Sequence, residues 1–380
     1  MLHYQLSYWE RDSFFRDIDV AIIGSGIVGL SAAIHLKEQA PKLKVVVLER
    51  GPLPIGASTR NAGFACFGSI SELLDDLQHS SLDEVLQLVE KRYRGLQKLR
   101  SRYQDTTIGY EALGGYEVFR PTDQTLFEEC ADKLAHLNEA LSLITGSDTY
   151  KHQDDQIEAQ GLAGVQHLIL NQKEGQLHTG KLMHTLLRRA QELEIHCLCG
   201  ITVTGLDPIG DSVQISTDHG WTINTSRALI ATNGFAAHLL PELEVKPARN
   251  QVLITKPIPG LSLKGCFHYD RGYVYFRNVG DRILLGGGRN LNPQGEETDV
   301  FGYTEQVQNY LLQILAEHIA PAQSTEVDYW WSGIMGVGQQ KKPIIDWVNP
   351  RTVAAVRLGG MGVALGTEAG EQAAGLLLEG

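Results

Sequence analysis

Several features are missing from this chain, and each absence excludes something. Cysteine is scarce: five in 380 residues, at 66, 130, 197, 199 and 266, with no C-x-x-C pair. An odd, unpatterned set gives no disulfide framework and points to a reduced, cytoplasmic protein. Cys197 and Cys199 lie on the apolar stretch 195–203 and read as buried strand residues. The thirteen histidines show no H-x-x-x-H or similar spacing, so no metal site is expected. Residues 1–15 carry Glu10, Arg11 and Asp12 and no apolar h-region, so no secretory signal is read there. The apolar run 18–36 holds three glycines and Asp19 and follows Asp17, which argues against a membrane span. Excess positive charge is also absent. A formal net charge of -12 speaks against nucleic acid or an anionic membrane as the main partner.

What is present starts at Asp19–Leu36, which reads as a buried strand running into a helix, with Gly24, Gly26 and Gly29 at the turn. The strand 44–48 then ends in Glu49, twenty residues beyond Gly29. Gly24 makes the tight turn, Gly26 lets the backbone approach a pyrophosphate, and Gly29 lets helix and strand pack closely. The helix N-terminus faces the phosphates, and Glu49 accepts from a ribose. Strand, helix, second strand and acid in this order identify an adenine-dinucleotide site.

A length of 380 residues fits two domains, with no internal repeat or low-complexity tract. Apolar periodicity predicts long helices over 82–103 and 123–144, with short strands at 108–111 and 116–119 between them. A helix at 180–194 precedes strands at 196–204, 212–217, 221–224 and 227–231. Beyond them come a strand at 248–256, a hairpin at 272–278 and 282–288, a helix at 303–318, and strands at 326–333 and 352–356. The last element is a helix at 363–378. The predicted class is α/β. A Rossmann-type nucleotide domain (17–80, 175–240 and 330–380) is interleaved with a mixed, largely antiparallel sheet-plus-helix substrate domain (81–174 and 241–329).

The chain resembles the flavin-dependent D-amino-acid oxidase superfamily, which includes glycine and sarcosine oxidases, over nearly its whole length. Besides the glycine fingerprint, the likeness rests on Gly56-Ala-Ser-Thr-Arg-Asn-Ala-Gly63, Ala231-Thr-Asn-Gly234, Trp331-Ser-Gly333 and Gly359-Gly-Met-Gly-Val363. Tyr275-Phe-Arg277, Asp281-Arg282 and Ile283-Leu-Leu-Gly-Gly-Gly288 are similar to the gamma-glutamylputrescine oxidoreductase group. The resemblance implies FAD. Its expected neighbours are Gly24, Gly26, Ile27, Val28, Gly29, Glu49, Arg50, Ala57, Ser58, Thr59, Asn61, Ala62 and Gly63. Val203 is expected near the adenine, and Ala231, Thr232 and Gly234 beside the pyrophosphate. Gly333 is also expected to contact the cofactor, and Gly360, Gly362, Val363 and Ala364 are expected near the flavin ring. Sarcosine oxidases attach flavin through a cysteine late in the chain; here none follows Cys266, which implies noncovalent FAD. A helix starting near Gly362 aims its positive end at what precedes it, which suits the negative charge of reduced flavin.

Flavin enzymes of this kind take a hydride from carbon, so the protein mainly positions and desolvates the substrate. Alternation places Tyr273, Tyr275 and Arg277 on one face of the hairpin strand and Val274 and Phe276 on the other. That face reads either as a solvated surface or as a cavity wall. In the second case Arg277 anchors a carboxylate and Tyr275 adds a hydrogen bond or an aromatic contact. Phe64, Cys66, Arg289, Trp330 and Trp331 are further candidates, each also explained by packing or surface roles. Glycine-oxidase-like relatives carry a carboxylate-binding arginine two residues past Trp-x-Gly, where this chain has Met335.

The expected activity is oxidation of the C–N bond of an amine or amino-acid derivative to an imine, with oxygen or another carrier as electron acceptor. The alternatives are an FAD dehydrogenase of a hydroxy acid or polyol phosphate, and a flavoprotein subunit that depends on a partner. A nicotinamide dehydrogenase leaves the 56–63 loop and the C-terminal glycine cluster without a role.

Overall fold

The structure, a computed structural model, describes residues 4–319 and 325–380. The chain divides into two compact units, each gathered from separated stretches. The first holds residues up to Arg60 with Thr179–Ala248 and Ile334–Gly380; the second holds Asn61–His178 with Arg249–Gly333. Residues 61–80, grouped by sequence with the nucleotide domain, therefore belong to the second unit. The physical reason is a buried carboxylate of that unit, Glu174, which accepts hydrogen bonds from the amides of Phe67 and Gly68.

The first unit is built on a mostly parallel sheet. Its strand order is Ile344–Asn349, Thr352–Val356, Thr222–Ile230, Ile18–Ile23, Val45–Glu49 and His196–Cys199. All adjacent pairs run parallel except the edge pair Ile344–Asn349 with Thr352–Val356. Val45–Glu49 is buried along its whole length and Ile18–Ile23 nearly so, which is why they read as continuous apolar runs rather than alternating ones. The expected strand 196–204 is broken at Gly200, which takes a φ of +76°. Conversely, 221–224 and 227–231 are one strand, Thr222–Ile230, which carries an antiparallel hairpin of Val203–Ile209 and Ser212–Thr217.

Two helices of this unit lie unusually close. Helix Gly362–Glu379 packs on helix Ile27–Gln39 through Gly366 and Gly370. A Cβ at Gly366 would sit 2.7 Å from Ile27 Cγ2, and one at Gly370 would sit 2.5 Å from the Val28 carbonyl oxygen.

The second unit has an eight-stranded, largely antiparallel sheet. Its order is Val327–Val337, Lys246–Thr255, Arg282–Gly287, Val274–Val279, Cys266–Tyr269, Gly115–Phe119, His167–Asn171 and Tyr150–His152. The pair Cys266–Tyr269 with Gly115–Phe119 is parallel. Helices Leu82–Tyr103 and Gln124–Thr145 match their periodicity. The first begins at a capping box of Ser81 and Glu84 and buries Val85, Leu88, Val89, Arg92, Leu96 and Leu99 at helical spacing. The expected strand 108–111 is instead a helical turn, Asp105–Ile108, followed by a single bridge from Glu111 to Gln176. On one face of the sheet Phe276, Phe267 and Tyr116 stack in series, at 4.8 and 4.9 Å between centroids, against Val307, Leu311 and Ile314 of helix Glu305–Ile314. A buried Arg249–Glu296 pair, completed by Gln251 and Thr304, fastens the segment after the hairpin to strand Lys246–Thr255.

Among the described residues no helix is long and apolar enough to cross a membrane. The helix pair of the first unit gives a direct test. Gly370→Val forces a side chain into the Val28 carbonyl, so it is expected to cost about 1–3 kcal/mol or more. A thermal melt of the variant that matched the wild type would contradict this packing.

Candidate active site

In the first unit, three strand ends meet at one edge of the sheet. Gly24, at the end of Ile18–Ile23, has a φ of +104°, and a Cβ there would lie 2.9 Å from the Ala231 carbonyl oxygen. At Gly29 a Cβ would lie 2.0 Å from the Gly24 carbonyl oxygen, so helix Ile27–Gln39 leaves the strand at a distance only glycine permits. Gly26 precedes this helix and offers no side-chain cap. Instead the Ser58 hydroxyl accepts from the Ile27 amide at 2.9 Å, in the space a Cβ on Gly26 would fill. Ser58 lies in the short helix Ala57–Arg60, where Thr59 donates to the Pro54 carbonyl at 2.5 Å.

Glu49 is buried and its carboxylate is already organised. Oε2 accepts from the Ser25 amide at 3.1 Å and the Ser25 hydroxyl at 2.7 Å, and Oε1 accepts from the Gly51 amide at 3.0 Å. The fingerprint names Glu49 but not Ser25, whose hydroxyl sits inside the glycine triplet and had no separate signal. The Arg50 guanidinium lies 3.7 Å from the ring centroid of Phe235. Val203 is buried at the start of its strand.

Thr232 follows strand Thr222–Ile230, and its Oγ1 is buried with no hydrogen-bond partner among the described residues. Asn233, also absent from the sequence-derived set, takes a φ of +45° and accepts from the Leu358 amide at 3.2 Å. The Gly359 amide donates to the Gly336 carbonyl at 3.0 Å. A Cβ on Gly234 would lie 2.5 Å from the Met335 carbonyl oxygen, and one on Gly360 would lie 3.2 Å from Met335 Sδ. Residues 231–234, 335–336 and 358–362 are thus fastened together. Helix Gly362–Glu379 starts there with no side-chain cap, leaving the amides of Gly362, Val363 and Ala364 at its positive end. A helix start at Gly362 with no side-chain cap, a second at Ile27 whose N-cap is glycine, a glycine turn closed to any Cβ and an unmet hydroxyl fit a dinucleotide with an anionic pyrophosphate.

In the second unit, Asn61, Ala62 and Gly63 form a turn in which the Gly63 amide donates to Asn61 Oδ1 at 2.8 Å and Gly63 takes a φ of +74°. Beyond it lies a mostly apolar sheet face made by Ala62, Phe64, Val252, Ile254, Tyr275, Leu284 and Trp331. Gly333 is buried on strand Val327–Val337. Alternation in Val274–Val279 holds: Tyr275 and Val279 join this face, while Val274 and Phe276 join the opposite core. Tyr275 packs edge-on to Phe64 at 5.6 Å and rests over Gly286, where a Cβ would lie 2.7 Å from its ring. Burial pushes its phenol up, so it remains a hydrogen-bond donor at neutral pH. Tyr273 falls before the strand and is 36% exposed, with the Arg289 guanidinium 4.9 Å from its ring centroid.

Arg277 departs from the expected substrate anchor. Its Nε donates to the Ala62 carbonyl at 2.5 Å, Nη2 to the Leu177 carbonyl at 3.1 Å and Nη1 to the Asn278 carbonyl at 3.4 Å. A buried guanidinium needs acceptors on several sides, and backbone carbonyls supply them here, so it ties the 61–63 turn to the sheet.

Charged groups lie buried behind Phe64. Glu174 Oε1 takes the Phe67 and Gly68 amides at 2.8 and 3.0 Å, and Oε2 faces His268 Nε2 at 3.6 Å. Burial opposes charge on His268, but Glu174 and its neighbours overcome that and raise the imidazole to about 9. Glu117, on the adjacent strand, receives the Ser71 amide and hydroxyl. Burial outweighs those bonds and pushes its carboxyl up to about 7 from an ordinary 4.5. The folded state therefore holds a proton on Glu117 that the unfolded chain releases between these two values. Glu117→Gln is expected to gain stability relative to the wild type as pH rises from about 4.5 to about 7, reaching roughly 3 kcal/mol above that window. Denaturant melts of both proteins across pH 4–8 check this; a stability difference that stays flat would refute it.

Comparison with known proteins agrees with this geometry. Residues 19–376 match the family described as FAD dependent oxidoreductase (DAO). The chain is 27% identical over 377 residues to "Probable oxidoreductase OrdL" of Rhizobium meliloti (strain 1021), covering 96% of this chain and 83% of that protein. It is 25% identical over 337 residues to gamma-glutamylputrescine oxidoreductase of Escherichia coli (strain K12), covering 83% and 73%. Glycine oxidase of Geobacillus kaustophilus superposes with a TM-score of 0.76 at 20% identity, over 95% of this chain and 94% of that one. With its glycine turn, its acid at the second strand end and a match over almost its full length, the chain belongs to the DAO family of FAD-dependent oxidoreductases.

Proposed function

We propose that this protein oxidises the C–N bond of an amine or amino-acid derivative to an imine, which water then hydrolyses. FAD, when bound, would supply the two-electron acceptor for this oxidation. The observation that carries the reading is the sheet face of Phe64, Tyr275, Trp331, Val252, Ile254 and Leu284. It offers apolar walls and one phenol, a surface that desolvates and orients a substrate rather than attacking it. The relatives support the amine class: one is named for gamma-glutamylputrescine and another for glycine. The five free cysteines suit a reducing, cytoplasmic setting, and the lack of any cysteine after Cys266 suits noncovalent FAD.

Within the amine class, a small α-amino acid is the poorer fit. Arg277 is bonded to carbonyls, and Met335 stands two residues past Trp331-Ser-Gly333, the position for which the resemblance implies a carboxylate-binding arginine. A longer or secondary amine needs no carboxylate clamp at the reacting carbon. The reading of a flavoprotein subunit that feeds a partner draws on one observation, the exposure of Tyr8 and Trp9 at 65% and 73%.

Anaerobic mixing of the yellow protein with a panel of amines, amino acids, hydroxy acids and glycerol phosphate tests the reading through bleaching of flavin absorbance. Longer amines, and secondary amines that carry no α-carboxylate, are expected to bleach it, and glycine, D-alanine and sarcosine to do so poorly. Reduction by hydroxy acids alone would overturn C–N oxidation. Tyr275→Phe is expected to slow reduction by its best amine about 3- to 10-fold, the worth of one hydrogen bond; an unchanged rate removes the phenol from the site.

The cofactor side has its own test. Glu49→Ala is expected to weaken FAD binding by roughly 1–3 kcal/mol, since a charged acceptor is lost. Titration of apoprotein with FAD, followed by fluorescence quenching, reads the dissociation constant. Equal affinity in the two proteins would show that the ribose is held elsewhere.

A further inference from the structure

Cys66, Glu174 and His268 come from three segments far apart in sequence and meet inside the second unit. Their thiol, carboxylate and imidazole ligand atoms all lie within 4.8 Å of one another. The residues are 2%, 1% and 6% exposed. One carboxylate oxygen is accounted for by the Phe67 and Gly68 amides. The other, Glu174 Oε2, is buried without a hydrogen-bond partner among the described residues, and so is His268 Nε2. At 3.6 Å these two atoms are too far apart to satisfy each other. Cys66 Sγ donates a long hydrogen bond to the Gly175 carbonyl, at 3.8 Å. Buried polar atoms are rarely left unmet, and here two of them face the same point as a thiol.

We propose that Cys66, Glu174 and His268 bind a divalent metal ion of the zinc type, which fastens the segment after Phe64, the turn before Gly175 and strand Cys266–Tyr269 to one another. One sulfur, one nitrogen and one oxygen donor make a borderline-soft set of the kind zinc takes. With an ion bound, its two positive charges would be met by the Cys66 thiolate and the Glu174 carboxylate, so the ion brings no uncompensated charge into the interior. Cys266, whose thiol donates to the same Gly175 carbonyl at 3.2 Å, stands beside the remaining position. The enclosure makes this a structural site, independent of the amine-oxidation reading. No local spacing announces it, because no two ligands share a segment.

The test uses tag-free holoenzyme from zinc-supplemented growth, desalted and analysed for zinc, flavin and protein. About one zinc per chain is expected, released by a strong chelator with a fall in melting temperature that added Zn2+ reverses. Cys66→Ser and His268→Asn are each expected to lower bound zinc at least about tenfold while far-UV circular dichroism is unchanged. Titrating chelated wild type with Zn2+ by calorimetry is expected to show about one ion bound per chain. Chelated, folded wild type that takes up less than about a tenth of an equivalent from micromolar Zn2+ would overturn the proposal. Folded variants that bind as much zinc as the wild type would do the same. If the variants fail to fold, the wild-type titration alone decides.

Discussion

The second unit depends on one buried negative charge, the carboxylate of Glu174. A carboxylate in a low-dielectric interior must be met on each oxygen, and meeting it dictates the surrounding backbone. Oε1 draws in the amides of Phe67 and Gly68, which fixes the segment that leads out of the 61–63 turn. The Gly68 carbonyl, on the same segment, accepts from the buried Tyr150 hydroxyl, and the Phe67 carbonyl accepts from buried Arg92. Oε2 lies where a Cβ on Gly115 would be only 2.0 Å away, so the strand Gly115–Phe119 must begin with glycine. The same oxygen faces His268 on the neighbouring strand. Removing Glu174 would therefore loosen a turn, a strand start and a helix contact together.

The two units solve their tasks with different chemistry. The first works through backbone: its distinguishing features are distances at Gly24, Gly29, Gly234 and Gly370 that exclude a Cβ, and a helix start at Gly362 with no side-chain cap. A pyrophosphate presents the same charges whatever else it carries, so backbone amides are enough to hold it. The second presents side chains on a sheet face, where Tyr275 packs edge-on to Phe64, and it is there that the proposed reading puts the substrate. Side chains can distinguish one substrate from another, while the cofactor is common to the family.

That difference explains what was legible in the sequence. Glycines at fixed offsets and an acid at a strand end are local patterns, so Gly24, Gly26, Gly29 and Glu49 were readable, as were helices with strong periodicity such as Leu82–Tyr103. Strands Cys266–Tyr269 and His167–Asn171 were missed because both are buried on two faces and too short for alternation to show. Ser25, Asn233, Glu174 and His268 were missed for another reason. Each matters through a partner distant in the chain, and nothing near Glu174 in sequence marks its meeting with residues 66–68 and 268.

Arg277 shows where periodicity stops being informative. Alternation placed it correctly on the face of Tyr275, but a face does not determine what a long side chain reaches. An arginine that projects into solvent or into a cavity can wait for an anion, whereas one that is 6% exposed must be bonded in the resting protein. Here the nearest acceptors are the carbonyls of Ala62 and Leu177, whose own chain segments are joined by the hydrogen bond from the Leu177 amide to the Gly63 carbonyl. The guanidinium thus bridges two strands of chain that already meet, and burial draws its pKa down without neutralising it. On the reading proposed above, a substrate at that face would meet an arginine whose hydrogen bonds are already made, which favours recognition by shape and by the Tyr275 phenol over capture of a carboxylate.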